Sequence, residues 1–510
     1  MQISKSGYTR MGEVGKNPVI TGFYFFKTRE RLVGFVFIIF RSIIAFDFIN
    51  ISSFIDFDFV ILIRRHNANY LIMYIKRKID TELLEWMSSP ERKPLLIRGA
   101  RQVGKSTAVR ELAKHFTNYI EVNFDESPTL NQLFSNGLGV DELLDELALI
   151  TRTEISDGRT LLFLDEVQSC IPAISILRYF YERRPNLHVV AAGSLLEFAL
   201  AELPSFGVGR VRSLFMYPLS FHEFLGAVGE EALAARVSDL THQRPLSPLI
   251  HDKLCRYVKK FLIVGGMPEV VRKYAEGADL LEVQRILDDL VVSVQADFVK
   301  YKKQVAPRDI QSVFQSVVQQ VGRKFKYASD AHSMRAAQVK QIIDLLELAG
   351  LVQRVSHSDC NGIPLGAEIN PKKFKLLILD TGIYQRLLGL SVSDLLLNDA
   401  AEVVNKGSIA ELFVGLELTK SASCYQKASL YYWHREAQNS QAEVDYVVQH
   451  SDQILPIEVK AGTKGAMRSM WLFLEAKNVE RGIRLSLEPL AQYPSIEAYP
   501  LYAVPNIFKG

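Results

Sequence analysis

Gly99, Gly104, Lys105 and Ser106 stand at the spacing G-x-x-x-x-G-K-S within the stretch PLLIRGARQVGKSTAVRELAKHF. Glycines so placed let the backbone curl until its N–H groups face a phosphate at the start of a helix. The whole turn (Gly99, Ala100, Arg101, Gln102, Val103, Gly104, Lys105, Ser106 and Thr107) would then cradle a nucleotide. Lys105 would reach the β- and γ-phosphates, and the Ser106 hydroxyl can ligate Mg²⁺. Downstream, RTLLFLDEVQSC carries Asp165 and Glu166 straight after four apolar residues. Asp165 is placed to hold Mg²⁺ through its water shell, and Glu166 to polarise a water for attack on the γ-phosphate. ATP and Mg²⁺ are the cofactors this chemistry requires.

A second set of charged residues lies near the end of the chain. Glu411 sits in GSIAELFVGLEL, Asp445 in AEVDYVV, and Glu458 and Lys460 in ILPIEVKAG. A restriction-endonuclease-like fold needs a helix glutamate, an acid on a central strand, and E-x-K on the next strand. There the carboxylates bind a divalent metal and the lysine positions or activates the attacking water. Strand alternation puts Glu458 and Lys460 on one face. A second divalent metal is therefore an expectation for this region. The same four residues could equally survive as a buried ion-pair network in a fold that has lost cleavage.

These groups need elements to hold them. Strands are predicted at 94–97, 119–124, 161–164, 187–194 and 212–216, and an amphipathic helix from about Lys105. Buried parallel strands read as continuous apolar runs, and ligands gather at their C-terminal ends. In FLIVGGMPEVVRKYAE, Gly265, Gly266 and Pro268 break the helical periodicity and predict a tight turn between helices. From Asp309 to Ser356 the pattern gives two or three amphipathic helices and then a short β-like run, the grammar of a winged helix. GRKFKY (322–327) and PKKFK (371–375) interleave basic and aromatic residues, the composition of a surface that contacts phosphates and stacks on bases. Winged helices also serve as plain docking modules. GSIAELFVGLEL is predicted as an amphipathic helix.

The chain has 510 residues, 48% of them hydrophobic and 23% charged, which suits two to four globular domains. A net charge of +3 says little about partners, and the four cysteines follow no C-x-x-C spacing. That argues against a structural zinc site or a disulfide framework and favours a reducing cytoplasm. The first 72 residues differ from the rest: RLVGFVFIIFRSIIAFDFINISSFIDFDFVILIRR is rich in Phe and Ile, yet Arg41, Asp47, Asp56 and Asp58 interrupt it. A membrane helix needs about 20 mostly apolar residues, and the longest clean run is Leu32 to Phe40. A membrane partner is not expected. The stretch reads as an extension outside the folded protein, with Met73 a natural start.

From Met73 onward the chain resembles the large prokaryotic family of AAA-like P-loop ATPases that carry a C-terminal domain of unknown function. GARQVGKST, LLFLDEVQ, AAGSLLEF, GRVRSLFMYPLSFHEF, GGMPEVV, LLILDTGIYQ and AEVDYV…PIEVKAG carry the resemblance, in that order. It implies an additional-strand P-loop ATPase in which a polar residue, here Ser194, senses the γ-phosphate. It also implies that Arg210 or Arg212 neutralises phosphate charge, in cis or from a neighbouring subunit of a homo-oligomer, and that a small helical lid lies beside the nucleotide. The expected class is α/β: residues 1–72 an extension, 73–230 a P-loop domain with a parallel sheet, 231–304 a helical lid, 305–400 a winged helix, and 401–510 an α/β restriction-endonuclease-like domain. Three readings stay open: an ATP-driven switch engaging DNA through its C-terminal half, an ATP-gated metal-dependent nuclease, and a nucleotide-controlled signalling or defence scaffold.

Overall fold

Five short runs, each carrying at least one buried aliphatic residue, pair side by side. In the computed structural model they are β1 (Leu95–Arg98), β2 (Asn118–Asn123), β3 (Thr160–Asp165), β4 (His188–Ala192) and β5 (Arg212–Phe215). The order is β2-β3-β4-β1-β5, with every neighbouring pair parallel. β4 stands between β1 and β3, which is the additional strand the sequence implied. Every residue of β3 and β4 is buried, as continuous apolar runs require. The residues described are 74–203, 209–301, 305–328, 334–390, 407–437, 440–462 and 467–508. The extension expected over residues 1–72 lies outside them. Among the described residues, no helix is long and apolar enough to cross a membrane.

The segment expected as a lid forms helices Glu231–Ser238, Pro248–Val264, Pro268–Ala275 and Leu280–Ala296, and the expected turn falls between the second and third at Gly265 and Gly266. Helices Pro307–Gln319 and Ala336–Leu348 then lead into a hairpin of β6 (Val352–Ser358) and β7 (Ile369–Ile378). That is the element order of a winged helix, but the hairpin is not a free-standing wing. It joins β8 (Leu430–Ala437), β9 (Ser440–His450), β10 (Gln453–Val459), β11 (Gly482–Ser486), β12 (Ala491–Gln492) and β13 (Ile496–Pro500) in one eight-stranded mixed sheet. The order is β12-β13-β11-β10-β9-β8-β6-β7, with β6 parallel to β8. One sheet therefore spans both sides of the boundary predicted at residue 400.

The helix Gly407–Ser421 corrects a second expectation. It is buried from Ile409 to Thr419 on every side, not amphipathic. A helix apolar all round belongs inside a protein, and this one lies where the mixed sheet meets the lid. Its two buried acids are each paired, Glu411 with Lys375 and Glu417 with Lys420. A continuous core runs through Leu95 and Ile97 of β1, Val258 and Leu262 of the lid, Ile342 and Leu346, then Leu377, Val414 and Leu455. The ATPase sheet and the C-terminal sheet thus share one interior.

Candidate functional site

The turn after β1 is set by close approach. Gly99 has φ +146, and a Cβ there would lie 2.1 Å from the Met216 carbonyl oxygen, so only glycine lets β1 pass the end of β5. Gln102 and Gly104 also take positive φ, +63 and +97, and helix Lys105–Ala113 starts directly after them. The N–H groups of a helix start have no partners within the helix and attract anions. Lys105 is buried, and its ammonium donates to the Gly99 and Ala100 carbonyls at 3.0 and 2.8 Å. Burial lowers its pKa to about 8, against the pull of Glu166 and Asp165. Arg101 pairs with Asp297 at the end of the lid at 2.7 Å, and Thr107 is exposed.

The Lys105 shift has a testable sign. A phosphate stabilises the ammonium form, so the bound pKa lies above the free one. Below pH 8 the lysine is already charged and binding takes up no proton through it. Above pH 8, up to the bound pKa, nucleotide affinity should fall by up to about tenfold per pH unit. Titrations of ATP against the protein between pH 7 and pH 10 check this. A flat profile would mean that Lys105 stays fully charged in the free protein.

Asp165 and Glu166 follow β3 at the same edge of the sheet. Asp165 is buried, and burial together with the Glu166 charge raises its pKa, opposed by hydrogen bonds from the Ser106 hydroxyl and the Glu166 N–H. The Glu166 N–H lies 3.0 Å from Asp165 Oδ1. Glu166 takes φ +49, a left-handed conformation that a non-glycine residue holds only where its surroundings over-determine it. Here they do. Glu166 Oε2 accepts from Gln168 Nε2 at 2.5 Å and from Ser194 Oγ at 3.2 Å. Ser194, just past β4, thus meets Glu166 across the β3–β4 edge. Ser106, Lys105, Asp165, Glu166 and Ser194 form one cluster, and Ser106 with Asp165 offers the oxygen pair that Mg²⁺ takes.

Two residues of this cluster's surroundings were not singled out from sequence. Gln168, two residues past Glu166, is one. Arg77 precedes helix Lys78–Ser88 and is buried beneath the turn. It donates to the Val103 carbonyl at 3.0 Å, to the Tyr217 carbonyl at 2.7 Å and to Glu223 Oε1 at 3.0 Å. In a trans peptide the C=O and N–H point opposite ways, so tying the Val103 carbonyl to Arg77 turns the Gly104 N–H away from it. Arg77→Ala should weaken ATP binding by about tenfold, about 1.4 kcal/mol, with Arg77→Lys between it and wild type. Equal affinities in all three proteins would make Arg77 irrelevant to the turn.

Arg210 and Arg212 do not reach this cluster. Arg212 is paired with Leu95, at the start of β1, whereas the phosphate turn follows Arg98 at its end. Parallel strands send the start of β5 to the opposite edge. Arg210 there pairs with Glu182 at 2.5 Å, and the Arg212 guanidinium lies 5.7 Å from the Tyr425 ring. The expectation of a phosphate contact in cis fails for both.

The C-terminal acids do converge. Asp445 Oδ2 accepts the Val459 N–H at 2.8 Å, and Lys460 Nζ lies 2.6 Å from Glu458 Oε1. A further lysine enters among them. Lys375 Nζ, fully buried, lies 2.7 Å from Glu411 Oε1, 2.6 Å from Glu443 Oε1 and 3.8 Å from Asp445 Oδ1. Burial pushes Glu411 up to about 8 and Glu458 up to about 7. Burial alone would lower Lys375, but Glu411, Asp445 and Glu443 together hold it above the usual lysine range. The two phenylalanines of the basic stretches are also turned inward, with Tyr327 half-buried against them. Phe325 stacks on Phe374 with ring centroids 5.7 Å apart, and both are buried. They form core, not a base-stacking surface.

A glycine turn between a strand and a helix, acids at the end of β3, and a strand inserted between β1 and β3 define an AAA-type P-loop ATPase domain. Residues 91–225 match the family described as AAA domain. Residues 255–394 match a domain of unknown function (DUF8612), and residues 406–504 another (DUF4143). The chain thus joins an AAA-type P-loop domain to two domains of unknown function. It is 22% identical over 409 residues to an uncharacterized protein of Haemophilus influenzae, covering 77% of this chain and 85% of that protein. Among solved structures it is similar to a Walker-type ATPase of Pyrococcus abyssi, at 15% identity and TM-score 0.41, over 62% of this chain and 96% of that one. It is also similar to RuvB of Thermotoga maritima, at 14% identity and TM-score 0.27, over 62% of this chain and 93% of that one.

Proposed function

We propose that this chain is a cytoplasmic, Mg²⁺-dependent ATPase that works as a nucleotide-driven switch. The observation that carries this reading is the contact of Ser194 Oγ with Glu166 Oε2 at 3.2 Å, beside a buried lysine whose ammonium donates to the Gly99 and Ala100 carbonyls. On this reading Lys105 exchanges the Gly99 and Ala100 carbonyls for β- and γ-phosphate oxygens. Ser106, and Asp165 through the water shell, would hold Mg²⁺, which when bound would supply charge neutralisation at the phosphates. Glu166 orients a water and accepts its proton, while Ser194 and Gln168 fix the carboxylate. Arg210 would act only on a nucleotide bound by a neighbouring copy in a homo-oligomer. The test is release of phosphate from ATP by the full-length chain with and without Mg²⁺. Tight nucleotide binding with no Mg²⁺-dependent release would overturn hydrolysis.

Contact with DNA is a second reading, favoured by one observation. The Phe325 N–H donates to the Phe374 carbonyl at 2.8 Å, which sets the two basic stretches side by side. Arg323, Lys326 and Lys372 are exposed along that edge and Lys373 is half-buried. With the aromatics inside, this edge offers charge without stacking. It would bind phosphate backbones irrespective of sequence and with steep salt dependence. Binding to duplexes of unrelated sequence at two salt concentrations tests it, and salt-insensitive or absent binding would leave the switch acting on another partner.

A further inference from the structure

We infer that the ammonium of Lys375 stands in the place of a divalent metal, so that the nuclease-like centre is closed by a cation of the chain itself. The ligand set fits a metal by residue type: Glu411, Asp445 and Glu458 are the acids such a fold would use, with Lys460 two residues past Glu458. The interior of the set is already filled. Lys375 comes from β7, and β6 and β8 lie between β7 and β9, the strand that carries Glu443 and Asp445. Its side chain crosses that face of the sheet with the ammonium 5.2 Å from the Tyr432 ring, and ends against Glu411 and Glu443 at 2.7 and 2.6 Å. A divalent cation among the same oxygens would need them at about 2.0–2.6 Å, with a fixed positive charge a few ångströms away. The oxygens can serve one cation or the other. The residues present do not fit a metal while Lys375 stays.

The source of the lysine gives it a purpose. Lys375 lies within the first of the two domains of unknown function, and Glu411, Glu443, Asp445 and Glu458 within the second. The ion pairs therefore bond the two segments where a nuclease would hold its metal. Glu458, in a buried carboxylate whose Oε1 pairs with Lys460 at 2.6 Å, has no hydrogen-bond partner for Oε2 among the described residues.

The test is Mn²⁺ binding and thermal unfolding of the full-length chain without nucleotide, in wild type, Lys375→Met, and Lys375→Met combined with Asp445→Asn. Lys375→Met is expected to gain a saturable Mn²⁺ site at least about tenfold tighter than any in wild type, and Mn²⁺ should raise its melting temperature. Adding Asp445→Asn should abolish both gains. Should Lys375→Met fold only when Mn²⁺ is present, that rescue is the same result. The charge-compensated pair Lys375→Met and Glu411→Gln supplies a second folded background in which Mn²⁺ should bind. Asp445-dependent Mn²⁺ binding by wild type as tight as by Lys375→Met would overturn the inference. So would Mn²⁺-dependent DNA cleavage by wild type, or failure of Mn²⁺ to bind or stabilise either variant.

Discussion

Replacing Lys105 with alanine is expected to lower ATP affinity at least about 100-fold, about 2.7 kcal/mol, while leaving the protein folded. A hydrogen bond between a charged pair is worth about 1.5–3 kcal/mol net, and the lysine is expected to make such bonds to two phosphate groups. Arg101 cannot substitute, because its guanidinium already pairs with Asp297. Alanine also removes a buried, desolvated charge, which is hydrogen-bonded to the Gly99 and Ala100 carbonyls, so loss of fold is not the expected cost. Calorimetric titration with ATP gives the affinity, and circular dichroism the fold. A folded variant that retains affinity within about threefold would defeat the nucleotide assignment of the turn.

Glu166→Gln should separate binding from chemistry. The amide keeps an oxygen for Ser194 Oγ and Gln168 Nε2, so the local arrangement and ATP affinity should persist. It cannot accept a proton, and losing a general base costs about 10²–10⁴-fold in rate. Single-turnover phosphate release, with ATP affinity measured on the same sample, makes the comparison. Turnover within about threefold of wild type, a barrier change under about 1 kcal/mol, would remove Glu166 from the role of base.

The P-loop half of the molecule was legible because its physics is local. Strands buried on both faces show as unbroken apolar runs, and a phosphate turn must place its glycines at fixed spacing. What sequence hid was direction and pairing. PKKFK looks like a basic surface until β7 pairs and sends Phe374 onto Phe325 and Lys375 into the acids. Arg210 sits next to β5, and only the parallel order reveals that this is the wrong edge. The three groups that fix Arg77, Val103, Tyr217 and Glu223, lie far along the chain, so nothing near Arg77 marks it as buried. The Gly407–Ser421 helix carries two glutamates whose partner lysines decide its burial, and Lys375 is distant in sequence from Glu411.

Gly350, in the turn between helix Ala336–Leu348 and β6, has φ +72, and a Cβ there would meet the Ala100 Cβ at 3.1 Å. Beside this contact is a cavity of about 80 Å³, lined by Gly99 and Ser194 on one side and by Leu416 and Lys420 on the other. The phosphate turn and the C-terminal half are therefore in direct contact. Thermodynamic reciprocity then applies: a ligand of the C-terminal half that alters nucleotide affinity by some factor has its own affinity altered by nucleotide by that same factor. A partner that moved the Gly350 turn would read the nucleotide state and, to the same degree, set it.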